Sequence, residues 1–307
     1  ARLIPWIKQH KYEKFFLFVH YWDPHTPYNQ PVGFRHAFKH RKGSLEDLKI
    51  IETKAGYKYV PGWGKADEIY EGDENLSIDL YDGEILYTDH CISEVLATLE
   101  QEDLLDDTLI IVTSDHGEQL GQHGLYGHAG LHEPVIKIPL IIYYPKKLPK
   151  GLRIKEYAQQ ADIVPTILDL AGIKVDYKFD GESLLKLVNG GKIRDYAVSE
   201  TWGERAIVEG DWKLIVHYKK ELENPRRELK KIIQGVVRKG EKGFELYNIS
   251  DDPAEVINLA EKDEDKLNEL LTKLEDWVKQ HLKPGEVDPM DILDEYYTPQ
   301  PLKYQLG

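Results

Sequence analysis

What the chain has little of narrows the field first. One cysteine in 307 residues, Cys91, excludes an internal disulfide framework. That scarcity leans slightly towards a cytoplasmic protein, although a disulfide-free secreted chain fits the same composition. A leader would stand upstream of Ala1, so the opening residues give no compartment. Methionine is equally scarce, with one residue, while 31% of the side chains are charged. This combination resembles thermophile composition, and a biased genome would produce it too. No apolar run approaches the ~20 residues of a membrane-spanning helix. Positive charge is in deficit: 40 Lys and Arg against 54 Asp and Glu leave a formal net charge of −14. That balance argues against general nucleic-acid binding. It also does nothing to attract an anionic ester, which would need local positive charge or a metal. The 41% hydrophobic content suffices for a core of one large domain or two smaller ones. Asn75-Leu-Ser and Asn248-Ile-Ser are formal glycosylation triplets of a kind that arises often by chance.

Elements follow from the pattern of what is present. Residues 2–10 read as the end of a helix and 15–21 as an apolar strand. Pro24, Pro27 and Pro31 make 22–32 a rigid loop. Residues 33–76 lack sustained periodicity and read as an excursion, a candidate lid. From 77 to 102 the set Leu80, Ile85, Leu86, Cys91, Ile92, Val95, Leu96 and Leu99 recurs at helical spacing. Residues 108–113 and 139–145 read as strands, and 161–171 as a helix ending at Gly172. Beyond about 195 the style changes. Residues 205–209 and 212–218 around Gly210-Asp211 predict a β-hairpin, 245–248 a third strand, and Leu267, Leu270, Leu271, Leu274 and Trp277 a helical stripe. Three antiparallel strands under one helix describe a small α+β subdomain of 196–307, set against an α/β portion of 1–195. The segment 219–242 carries a surplus of positive charge, read as a solvated face before an anion contact. The tail after Pro284 reads as an extended arm.

The densest chemistry lies in 113–139, TSDHGEQLGQHGLYGHAGLHEPVIKIP. The strand Thr108-Leu-Ile-Ile-Val-Thr113 delivers Asp115 and His116 at its carboxyl end, where open α/β sheets bind ligands. A carboxylate beside an imidazole suits a divalent metal. An isolated strand-end Asp more often only caps the next helix, so the surrounding sequence has to decide. This stretch resembles the sulfatase and phosphonate monoester hydrolase branch of the alkaline phosphatase superfamily. Three further landmarks carry the likeness: Phe15-Phe-Leu-Phe-Val-His-Tyr-Trp-Asp-Pro-His-Thr-Pro-Tyr28; Ala161 to Ile173 with Phe179-Asp-Gly-Glu-Ser-Leu184; and Gly243 to Pro253 with Asn258-Leu-Ala260.

The resemblance implies an alkaline-phosphatase-like α/β fold, with a mixed sheet sandwiched by helices and a small C-terminal antiparallel subdomain. It makes Asp115 and His116 metal ligands. It gives His25 and His128 catalytic and substrate-binding roles, His25 as a leaving-group or anion-facing histidine in one cavity with the metal pair. For a sulfatase it implies Ca²⁺ first, with Mn²⁺, Mg²⁺ and Zn²⁺ as alternatives. His128 stands where many members carry Lys, so an imidazole, cationic only when protonated, replaces a fixed ammonium charge. Lys137 reads as scaffold, His20 as packed, His123 as near the site without a role, and His132 as weaker still.

Family members also carry paired Asp ligands on a first strand and a nucleophile in Cys-x-Pro-x-Arg or its Ser or Thr form, oxidised to formylglycine in sulfatases. Cys91, in Asp89-His-Cys-Ile-Ser-Glu94, has neither the Pro nor the Arg. The expectation is a C-terminal portion whose nucleophile and formylglycine lie upstream. The complete protein would hydrolyse sulfate esters. The alternatives are a phosphonate monoester or phosphodiester hydrolase, and a catalytically inert fragment or partner chain. Expected partners are a small-molecule sulfate or phosphate ester, the N-terminal part of the same protein and a homo-oligomeric copy, with neither nucleic acid nor membrane.

Overall fold

The computed structural model describes residues 2–26, 28–35, 37, 38, 51, 52, 58, 59, 74–124, 126–128, 130–201, 203–218 and 243–290. Most of the 33–76 excursion, the basic segment 219–242 and the tail from 291 onward lie outside the described residues. The rest fall into two compact units, one drawn from 1–113 with 140–152 and the other from 114–139 with 153–307.

In the first unit, α1 (Leu3–Gln9) and the single turn α2 (Val32–Arg35) pack on the long α3 (Glu74–Gln101). Between α2 and α3 lies a small antiparallel pair, β1 (Ile51–Glu52) with β2 (Lys58–Tyr59). Helix α3 buries Leu80 and Leu99, but Ile85 and Leu86 of the expected stripe are exposed. Lys11 reaches Glu102 at 2.8 Å and ties the chain after α1 to the end of α3. Strand β3 (Ile110–Thr113) pairs antiparallel with β6 (Leu140–Tyr143), Ile111 opposite Ile142.

The apolar run 15–21 was expected to be a strand, and it has no ladder partner among the described residues. The reason is physical: apolar alternation makes a chain extended, and only a second chain's backbone makes it a strand. The alternation itself is present. Phe16, Phe18, His20 and Trp22 share the exposed side, with ring centres 6.5 Å (Phe18 to His20) and 5.9 Å (His20 to Trp22) apart. His20, expected to be packed, is therefore exposed.

In the second unit, β4 (Gln119–Leu120) pairs with β5 (Tyr126–Gly127), and the short α4 (Glu133–Ile136) follows. Helix α5 (Ile163–Ala171) ends on Gly172, whose φ of 70° is the left-handed cap geometry that glycine adopts freely. The two halves of the motif around α5 bond to each other. Asp162 accepts from the backbone N–H of Glu182 at 2.9 Å and holds Arg194 through both oxygens, while Thr166 Oγ1 accepts from Leu184 N–H at 2.9 Å.

After the turn α6 (Leu185–Val188) comes a four-stranded antiparallel sheet, order β10-β9-β8-β7: β7 (Ala197–Thr201), β8 (Glu204–Glu209), β9 (Trp212–His217) and β10 (Gly243–Asn248). The expected hairpin is β8–β9, with Glu209 opposite Trp212, and the expected third strand is β10. Strand β7 was not anticipated.

Period-two alternation gives this sheet two different faces. Ile207, Leu214, Val216 and Leu246 pack against Leu270 and Leu274 of α7 (Glu264–His281). Asp263 caps that helix by accepting from Lys266 N–H at 3.0 Å. Ala206, Ile215 and Tyr247 point the other way and pack with Leu131 of the 114–139 loop. The covering helix was legible in the sequence. The covering loop was not.

Candidate active site

Asp115 and His116 follow β3 by two and three residues, and a set of backbone contacts fixes their loop. Gln160 Nε2 donates to the carbonyls of Ser114 and Asp115 at 2.9 and 2.7 Å. The next residue must be glycine. Gly117 N–H donates to Val135 O at 2.7 Å, and a Cβ on Gly117 would stand 2.0 Å from Pro134 O. The loop is thereby folded back on α4.

The pair offers a carboxylate and an imidazole side by side. His116 Nδ1 bonds Gly117 O at 2.8 Å, so Nδ1 carries the proton and Nε2 presents its lone pair. That Nε2 faces Asp115 Oδ2 at 3.6 Å. A ring whose other nitrogen donates to a carbonyl is the usual state of a metal-ligating histidine. The Asp115 carboxylate is 79% exposed, and its recorded hydrogen bond is to the adjacent His116 N–H. These two residues fit one side of a divalent-metal shell. Among the described residues no group of three or more His, Cys, Asp or Glu side chains is placed to hold an ion.

His128 stands in the same cluster, its ring stacked on His116 at 4.2 Å between centres. Its Nδ1 lies 3.5 Å from Oε2 of Glu118, a nearly buried carboxylate. Of the four expected site residues, Asp115, His116 and His128 thus stand together in the second unit. His25 belongs to the first unit, where its N–H donates to Trp22 O at 2.9 Å and its ring lies 4.8 Å from that of Trp22. Lys137 is exposed, with its ammonium 3.8 Å from Glu133. Asn248, of the second glycosylation triplet, uses Oδ1 to accept from Ser250 and Asp251 N–H.

The residues that sequence reasoning missed are those beneath the loop. His132 Nε2 meets Glu245 Oε2 at 2.9 Å, Glu245 Oε1 meets His217 Nε2 at 2.9 Å, and His217 Nδ1 meets Glu204 Oε1 at 3.1 Å. Tyr247 donates its hydroxyl to Glu245 at 2.7 Å. Alongside, buried Lys213 pairs with Glu255 at 2.6 Å and Glu133 at 3.2 Å. His123 Nε2 bonds the Glu255 carbonyl at 3.0 Å, and its ring stacks on His132. His123 and His132 therefore anchor the loop from below. The signal available in sequence was strict alternation: Lys213 and His217 share a side with Ile215, and Glu245 shares a side with Tyr247.

Burial by itself would discharge His217, but its hydrogen bonds to Glu204 and Glu245 outweigh that and push its pKa up to about 10. Burial also works against the Glu245 carboxylate, yet bonds from His132 and His217 hold it well below the usual carboxylate range. For His217 the folded value lies above the unfolded value of 6.5. Its contribution is therefore complete below pH 6.5 and is lost as pH rises towards 10, at no more than about 1.4 kcal/mol per pH unit. The urea midpoint is expected to fall across that window, with a shallower slope in His217→Gln. Equal slopes in the two proteins would show that His217 carries no charge in the folded state.

The sulfatase family model matches residues 1–173, more than half of the sequence, and the chain belongs to that family. A second model, N-sulphoglucosamine sulphohydrolase, C-terminal, matches residues 121–283. The chain is 30% identical over 212 residues to the multifunctional alkaline phosphatase superfamily protein PehA of Trinickia caryophylli, covering 64% of this chain and 41% of that protein. It is 34% identical over 157 residues to choline-sulfatase of Rhizobium meliloti, covering 48% and 30%. Against a protein solved with its substrate D-glucosamine-2-N,6-O-disulfate, the TM-score is 0.56 at 30% identity, over 67% of this chain and 41% of that one. Against phosphonate monoester hydrolase of Agrobacterium radiobacter it is 0.68 at 23% identity, over 91% and 59%. The fold is alkaline-phosphatase-like. The chain spans less than half the length of the two curated relatives named here. No helix among the described residues is long and apolar enough to cross a membrane.

Proposed function

We propose that these residues belong to a metal-dependent hydrolase of sulfate esters whose nucleophile comes from a segment upstream of Ala1. The observation that carries this reading is the Asp115–His116 pair, with His116 Nδ1 held on Gly117 O and Nε2 facing the carboxylate at 3.6 Å. A divalent ion held there, Ca²⁺ first, would supply Lewis acidity towards a non-bridging ester oxygen. His128 would grip the anionic group, and Glu118 would orient its ring. His25, by the family resemblance, would give a proton to the departing alkoxide, an effect worth about two to four orders of magnitude in rate. Formylglycine would belong to the upstream segment.

The test uses the complete gene product with added Ca²⁺, Mg²⁺ or Mn²⁺. Turnover of an aryl sulfate is expected, with a kcat/KM above that for a phosphonate monoester and loss on chelation. The reverse order would assign a phosphonate monoester hydrolase activity instead. Turnover of neither ester under any of the three metals would leave the inert reading.

A chain of 1–307 made alone is expected to give no burst of covalent sulfo-enzyme. Phe16 and Phe18 are 77% and 80% exposed on a segment whose backbone lacks a ladder partner among the described residues. This short form is therefore also expected to self-associate in sedimentation. A burst abolished by Cys91→Ala would make Cys91 the nucleophile and end the reading of an upstream one.

A further inference from the structure

The face of the C-terminal sheet that looks towards α7 is apolar, and its opposite face buries a chain of ionisable groups under the site loop. Lys213 joins the sheet to the loop through Glu133, and Glu245 does so through two histidines. Glu245, on β10, gives one oxygen to His217 inside the sheet and the other to His132 on the loop, each at 2.9 Å. His132 is 6% exposed and Glu245 2%, so water does not compete strongly for this bond. His132 lies four positions after His128. The His132 carbonyl accepts the N–H groups of Val135 and Ile136 at 2.9 and 3.2 Å, and the Val135 carbonyl in turn accepts Gly117 N–H. One bonded path therefore runs from β10 through His132 to the residue beside His116.

We propose that Glu245 is a positioning residue, which sets His132 and through it the placement of His128 and His116 for the anionic group of the substrate. The proposal rests on the reading of this loop as the hydrolytic site. A carboxylate is suited to the task because both of its oxygens only accept, so two imidazole N–H groups can be held at once. An amide of the same shape offers one acceptor and one NH₂, and must turn its donor towards one of the two rings.

Glu204 provides the control. It touches His217 through Oε1 at 3.1 Å, and its Oε2 is buried near Gly130 of the loop without a hydrogen bond to it, so its removal disturbs the same buried network without breaking a bond to His132. In the complete gene product, Glu245→Gln is expected to raise KM by roughly tenfold or more, the equivalent of one charged hydrogen bond, with kcat much less affected. Amide exchange at Gly117, Val135 and Ile136 should quicken by a similar factor. Glu204→Gln should lower the melting temperature while leaving KM and those amides as in the parent. His132→Gln cuts the same link from the loop side and should reproduce Glu245→Gln, which keeps the test alive if the sheet variant does not fold.

A merely structural role would reduce the folded fraction, and hence kcat alone, alike in the Glu245 and Glu204 variants. That result, or unchanged exchange at the three amides in both Glu245→Gln and His132→Gln, would overturn the proposal. If the parent protein hydrolyses no ester, the hydrolytic reading fails, and the exchange comparison still decides whether Glu245 holds the loop.

Discussion

Asp115→Ala in the complete protein is expected to lower kcat/KM for a sulfate ester by at least ~10³-fold, the several kcal/mol that a Lewis-acid ion contributes to the transition state. The same change should leave stability within about 0.5 kcal/mol, because the side chain is 79% exposed and its recorded hydrogen bond is to its neighbour's N–H. Loss of activity without loss of folding is the signature of a ligand. Metal content after gel filtration, read beside the kinetics, should fall with activity. An Asp115→Ala protein that keeps its metal and stays within tenfold of the parent would remove Asp115 from the site. His116→Ala should behave alike, since its Nε2 faces the same carboxylate.

The second large effect lies in stability. Lys213 is completely buried between Glu255, at 2.6 Å, and Glu133, at 3.2 Å. Lys213→Met keeps much of the side-chain bulk and leaves two carboxylates facing each other without a cation. A cost of about 3–5 kcal/mol is expected, measured as a lower urea midpoint with an unchanged m-value. Removing a carboxylate as well should return part of that loss, so Lys213→Met with Glu255→Gln should be more stable than Lys213→Met alone. A single-variant loss under about 1 kcal/mol would mean that water reaches the cluster and screens it. The damage should extend to the loop, because Glu255 also receives Glu133 N–H at 2.8 Å and its carbonyl holds His123.

Local chemistry made much of this protein legible. Gly172 ended α5 where a left-handed cap was expected, and Gly210-Asp211 closed the β8–β9 hairpin. The helix over 264–281 followed from five apolar residues at helical spacing, and Leu270 and Leu274 are fully buried. Each of these depends on residues within a few positions of one another. Where the reading failed, a distant partner decided. Ile85 and Leu86 fit a helical stripe, but α1 and α2 cover a different arc of α3, and both side chains are exposed. The run 15–21 is apolar and alternating, but alternation cannot supply the second backbone that makes a ladder.

The candidate site divides in the same way. Asp115 and His116 could be named from sequence because adjacent residues at a strand end share one place in any fold that keeps the strand. His128 joined them through the resemblance and stacks on His116. The sequence by itself thus determined the family, most local elements and the residues proposed to face a substrate. Only the tertiary structure decided what holds those residues. Lys213, His217, Glu204 and Glu245 carry charge, and on an antiparallel sheet with one covering helix charge normally marks the solvent face. Here the loop 114–139 lies over that face, with Leu131 on Ala206, Ile215 and Tyr247. The charges become the loop's buried partners, because a polar group withdrawn from water must find its bonds inside the protein.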